Sequence, residues 1–190
     1  MAFPVGTSLF VCLQLCIYNA RHVLFLKPEN VCIGVIKICK TDPSRLFLAS
    51  FEHLDESHIF FNMLLFTVYG RAIEGRIGSA KFFCCLLILI ITSNAILTVL
   101  LSIMDTVDRD YAKQCIVGAS GVIFSLKVLA NRYWPFISIL SVKIDTFWCM
   151  WTEILFVHVI DPNSSFLGHL AGILAGMLLV KTNIDTPTNQ

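Results

Sequence analysis

Residues 82–104 read FFCCLLILIITSNAILTVLLSIM, 23 consecutive positions without a charged side chain. A helix rises ~1.5 Å per residue and a bilayer's hydrocarbon core is ~30 Å thick, so this run can cross a membrane. The rest of the chain has the same character. Over 190 residues it is 56% hydrophobic and 14% charged, with a mean hydropathy of +0.77, outside the usual range for a soluble domain. The composition predicts an all-α polytopic membrane protein of one domain. No linker, repeat or low-complexity tract divides it, and a net charge of +1 with no basic patch argues against nucleic acid as a partner.

Outward from that run, further apolar segments cover about residues 5–26, 57–74, 114–130, 146–161 and 165–181, giving six spans with the first. The N-terminal segment has no positive leading region and a poor cleavage site at Tyr18-Asn19-Ala20, so it reads as a retained anchor. Residues 27–56 form a charged loop, long for a helix connection and therefore a candidate functional element. Tyr133 to Val142 is apolar but short and contains Pro135, which suits an interfacial stretch better than a crossing. Arg71, Arg76, Lys81, Lys127, Arg132, Lys143 and Lys181 fall on one side and only Arg109 and Lys113 among the later loops on the other. This places both termini, with the short tail 182–190, in the cytosol and the first loop in the lumen. Lys27, Lys37, Lys40 and Arg45 in that loop oppose the assignment.

The eight cysteines show no CxxC or Cys/His spacing of the zinc type, so no metal or cofactor is expected. Most read as small apolar filler. Cys32 and Cys39 lie in the polar loop and are placed to pair if it faces an oxidising lumen.

The polar residues inside the apolar segments carry the chemistry. Gly118-Ala119-Ser120-Gly121 sets a serine between small residues in the fourth segment, although such a tetrapeptide arises by chance in about one chain of this length in twenty. With six spans, the second, fourth and sixth enter the membrane from the same side. At ~1.5 Å per residue, Asn62 lies about 8 Å in, Ser120 about 9 Å and His169 about 10 Å. A polar group inside a bilayer costs on the order of 3 kcal/mol and so faces the bundle interior and finds partners. Serine is a weak nucleophile until a base takes its proton, and His169 is the base at matching depth. Gly168, Gly172 and Gly176, with Ala171 and Ala175, give the sixth segment a smooth face for close approach to Gly118 and Gly121. His58 and Asn62, one helical turn apart, could donate to an oxyanion.

These residues, from Arg45 to Val180, resemble the rhomboid intramembrane serine proteases. The resemblance rests on His53, His58 and Asn62, on Gly70-Arg-Ala-Ile-Glu74-Gly-Arg-Ile-Gly78, on Gly118-Ala-Ser120-Gly121 and on His169-Leu-Ala-Gly172-Ile-Leu-Ala-Gly176, and is closest to the endoplasmic reticulum rhomboid-domain-containing branch. It implies a six-helix rhomboid-like bundle in which Ser120 is the nucleophile and His169 the base, with no acid completing a triad. His58, Asn62 and the Ser120 backbone N–H would hold the oxyanion, with Gly118, Gly121 and Gly172 supporting. It also implies substrates that are other proteins' transmembrane segments, cut near their luminal ends within the lipid bilayer. Two departures stand out. The Trp-Arg that usually precedes the second helix is reduced to Arg45, and the tyrosine that often stacks on the base is Phe124, which can stack as well.

Blander readings attach to each residue. A histidine in an apolar helix is most often structural, and His58 and Asn62 could merely cap their helix. His53 sits outside the span as support for His58. Gly70, Glu74 and Gly78 read as helix end and turn. Glu153 and His158 are five residues apart and not on one face, so structural pairing of Glu153 with Lys127 is expected. The alternative function is a non-catalytic binder that recruits unstable membrane helices for degradation; inactive relatives typically lack the serine or the histidine. A transporter is disfavoured because no paired Gly/Pro breaks interrupt the spans.

Overall fold

The chain, seen here as a computed structural model, is described over residues 4–21, 23, 27–35, 42–161 and 164–184. Six main helices run α1 (Val5–Ala20), α2 (Glu56–Ile77), α3 (Ser79–Val107), α4 (Ser120–Tyr133), α5 (Thr146–Ile160) and α6 (Phe166–Thr182). Side-chain caps set several starts. Asp55 accepts from His58 N at the head of α2, Asp145 from Phe147 N at α5 and Ser165 from Gly168 N at α6, each satisfying an N–H the helix cannot bond itself.

Helices α4 and α6 form the centre, with α3 packed against α6 and α1 against α2. Phe66, Phe82, Leu89, Leu126 and Leu129 are fully buried between them. Outward faces are equally apolar: Phe60, Phe61, Leu64 and Val68 on α2, and Leu87, Ile91, Val99 and Ile103 on α3, are exposed. Among the described residues α3 is the one helix long and apolar enough to cross a membrane by length and composition. Helices α1, α5 and α6 are apolar but shorter, at 16, 15 and 17 residues.

Several sequence expectations change. The fourth helix was expected over residues 114–130, but α4 begins only at Ser120 and runs to Tyr133. Before it the chain is extended: Ile33 and Ile116 exchange backbone hydrogen bonds of 2.9 Å, and Gly118 N donates to Ala49 O at 2.9 Å. Gly118 holds φ at +123°, a conformation open to glycine at little cost and not helical. The stretch after α4 is a hairpin, with Phe136–Ile139 paired antiparallel to Val142–Asp145, a small sheet that an all-helical reading omits. Cys32 pairs not with Cys39 but with Cys115, 83 residues on. The Ile33–Ile116 pairing brings the two cysteines' Cα atoms to 5.1 Å, within disulfide reach, and such long-range pairing leaves no mark in local spacing. Cys39, residues 24–26 of the expected first helix and residues 185–190 of the tail lie outside the described residues.

Glu74 is more than a helix end. Its carboxylate accepts from Gly6 N (2.7 Å), Thr7 N (2.8 Å), Thr7 Oγ1 (2.7 Å) and Ser79 Oγ (2.6 Å). It thereby pins the first turn of α1, whose N–H groups lack helical partners, to the far end of α2. Gly70 packs against Thr7 in the same seam.

Candidate active site

The start of α4 puts Ser120 at the first helical position, where backbone N–H groups have no intrahelical acceptor and carry the positive end of the helix dipole. Ser120 lines a small cleft with Ser93, Gly118, Gly121 and Gly168, with room for about one water molecule. A wider cleft of about 460 Å³ lies between Gln114–Ile116 and Ser164–Leu167, with Tyr111 and His158 on its walls.

His169, 4% exposed on α6, reaches the same seam. The glycines decide how near the helices come. A Cβ added to Gly172 would fall inside the van der Waals shell of the Gly121 carbonyl, and one on Gly121 would lie 3.2 Å from Gly168 O. Ser125 Oγ closes the crossing, its single proton shared between Gly172 O (2.7 Å) and Gly121 O (3.0 Å). Ser120 precedes Gly121 and His169 follows Gly168, so the two residues flank this crossing in sequence. Phe124, one turn after Ser120, stacks on the His169 ring with centroids 4.5 Å apart and planes 28° from parallel. Among the described residues no hydrogen bond joins Ser120 to His169, and His169 Nδ1 is buried without a partner.

His58 lies against the other side of the serine turn. A Cβ on Gly118 would be 2.8 Å from both His58 Cε1 and Nε2, so glycine is needed there for space as well as for φ. Asn62 is buried, and its amide donates to His58 O at 2.8 Å within its own helix, leaving one N–H of the amide for another acceptor.

Sequence reasoning undervalued His53. It is fully buried, packs edge-on to His58 with centroids 5.0 Å apart and accepts from Ala119 N at 3.4 Å through Nε2. His53 thus holds the residue before the serine, a role that its place outside the apolar run gave no local signal for. Cys115 is more than apolar filler: it ties the same segment to the first loop through Cys32, whose carbonyl accepts from Arg45 at 3.2 Å.

Burial holds the His53 imidazole neutral and pushes its pKa down to about 3, with the nearby His58 adding to the shift. A folded pKa below the unfolded value of about 6.5 means that the unfolded chain binds the extra proton between those limits. Stability is then fully present above pH ~6.5 and falls as the pH drops toward 3, by up to ~1.4 kcal/mol per unit. Unfolding followed from pH 7.5 to 4 should show this slope in the wild type. In His53→Gln, which keeps an acceptor but cannot titrate, it should be flatter by one proton; equal slopes would remove His53 as its source.

The rhomboid domain family model matches residues 40–185. The chain belongs to the rhomboid family. It is 35% identical over 163 residues to the Homo sapiens protein named Rhomboid-related protein 4, covering 81% of this chain and 52% of that protein. With the Arabidopsis thaliana Rhomboid-like protein 14, mitochondrial, identity is 36% over 144 residues, covering 74% and 43%. With the Aspergillus fumigatus Rhomboid-type serine protease B it is 30% over 162 residues, covering 81% and 54%. This rhomboid chain therefore spans about half the length of the curated relatives it matches. The family is membrane-embedded, and the apolar outer faces of α2 and α3 in this rhomboid suit lipid.

Proposed function

We propose that this rhomboid is an intramembrane serine endopeptidase, a six-span bundle whose Ser120–His169 dyad cuts transmembrane segments of other membrane proteins. The observation that carries the reading is the stack of Phe124 on His169 beside the Gly121/Gly172 crossing, which supports pairing that imidazole with the serine one turn earlier on α4. Ser120 Oγ attacks the scissile carbonyl while His169 takes its proton, and the developing oxyanion is met by the Ser120 N–H, His58 and the free amide N–H of Asn62. His169 then returns the proton to the leaving amine. A water, deprotonated by His169, attacks the acyl carbonyl, and His169 returns that proton to Ser120 Oγ as the new carboxyl group leaves. The wide cleft beside residues 114–116 would seat an unwound stretch of substrate and admit that water.

The name of a fungal relative, Rhomboid-type serine protease B, supports this reading. We place the protein in the endoplasmic reticulum membrane with its first loop luminal, because the Cys32–Cys115 bond forms and persists in an oxidising compartment. The test is to treat the full chain in bicelles with a fluorophosphonate probe and map the adduct. The expected adduct is on Ser120 and depends on His169. No adduct, or one elsewhere, leaves the non-catalytic helix binder as the better account.

A further inference from the structure

Lys127 is a charged side chain that the proposed chemistry does not use, and it is 5% exposed at the centre of the bundle. An ammonium so placed is costly unless held, and intramembrane ionisable groups are the first candidates for function. Ser120, Phe124 and Lys127 are spaced i, i+4, i+7, which sets them along one stripe of α4. The stripe is continuous in chemistry. Phe124 stacks on His169, and the Lys127 ammonium lies 4.4 Å from the Phe124 centroid and 5.4 Å from that of Tyr69 on α2. Glu153 on α5 completes the holding set as its ion-pair partner.

The place of α5 makes this pairing consequential. Only Met150 and Ile154 of that helix are buried, against Phe124 and Ile173, while Trp148, Leu155, Phe156, Val159 and Ile160 are exposed. Its attachment to the bundle runs through Phe124 and Ile173, through the Asn131–Thr146 hydrogen bond and, midway along its length, through the Lys127–Glu153 pair. A cation over a ring face is attracted to it and resists its tilting. The ring so held is the one that lies on the histidine.

We infer that Lys127 and Glu153 are a positioning pair for the dyad: the ammonium, held by Glu153, fixes Phe124 against His169 and so couples the seating of α5 to the orientation of the base. The inference rests on the reading of Ser120 and His169 as the catalytic pair. It differs from simple structural pairing in a measurable way. A buried ion pair that only holds helices together can be replaced by two apolar side chains without loss, whereas an aimed ring loses its aim.

The experiment uses the purified full chain in bicelles with a quenched fluorescent transmembrane reporter, following kcat, KM and thermal unfolding. Lys127→Met is expected to lower kcat by about 10- to 100-fold with KM within about twofold, as expected for a displaced base, and Lys127→Arg to restore most of it. The double variant Lys127→Met/Glu153→Met should regain thermal stability but not kcat, which keeps the inference testable even if the single variant unfolds. Recovery of both by the double variant, or a kcat for Lys127→Met within threefold of wild type, overturns it. Probe labelling separates the failures. A wild type labelled at Ser120 beside an equally labelled Lys127→Met sinks the positioning role alone, whereas a wild type that neither cuts nor labels sinks the dyad and this inference with it.

Discussion

Ser120→Ala, His169→Ala and the double variant are each expected to lower cleavage of a transmembrane reporter by about the same factor, on the order of 10⁴-fold or more. Two groups that act independently would multiply their losses. A nucleophile and its base do not, because either is nearly useless alone, and the second removal finds little left to take away. The proposed dyad leads to this expectation, and the stack of Phe124, one turn after Ser120, on His169 supports it. The measurement is initial rate in proteoliposomes, with circular dichroism confirming that each variant folds. A double variant a further hundredfold or more slower than either single one would show that the two residues work apart, and the dyad would be abandoned.

Gly172→Ala should be nearly as damaging, although alanine is the better helix former. The added methyl meets the carbonyl carbon and Cα of Gly121 at 2.8 and 2.9 Å, with the carbonyl oxygen nearer still, and backbone cannot swing aside as a side chain can. Helices α4 and α6 would have to part by about an ångström, a displacement that can cost about 100-fold in rate, together with roughly 1–3 kcal/mol of overpacking. Ser125 would also lose its bond to Gly172 O. Gly75→Ala is the matched control, because a Cβ there meets nothing within 4 Å, and it should leave rate and stability unchanged or slightly improved. A Gly172→Ala rate within threefold of wild type would mean that the crossing does not set the site's geometry.

The parts of the molecule legible from sequence are those whose signal is local. The uncharged run 82–104 lies within α3, and the four-residue recurrence of Gly168, Gly172 and Gly176 marks the face of α6 that meets α4, because one helical turn returns a residue to the same side. Asn62 and His58 likewise share a face of α2. What sequence could not supply was set by distant partners. The apolar character of residues 114–119 suggested helix, but that segment is claimed by Ile33, Ala49, His53 and Cys32, all more than sixty positions earlier. Gly118 then turns the chain so that the helix starts at the serine itself. Glu74 shows the same blindness: it looks like a helix terminus, while its four hydrogen bonds are made mainly with the start of α1. The Lys127–Glu153 pair was legible because two opposite charges stranded in apolar segments have few other options.

The Cys32–Cys115 bond also imposes an order of events during synthesis. Cys32 leaves the ribosome well ahead of its partner, and two long helices, α2 and α3, lie between them. The sulfurs can meet only after those helices have formed and brought residue 115 back beside Cys32. Until then the turn that will carry Ser120 is held to the first loop by the Ala49 and His53 hydrogen bonds, without a covalent tie. Closure of that covalent ring therefore marks the moment at which the Ser120 turn is tied to the first loop, so a chain whose α2 and α3 are misplaced would keep Cys32 and Cys115 reduced.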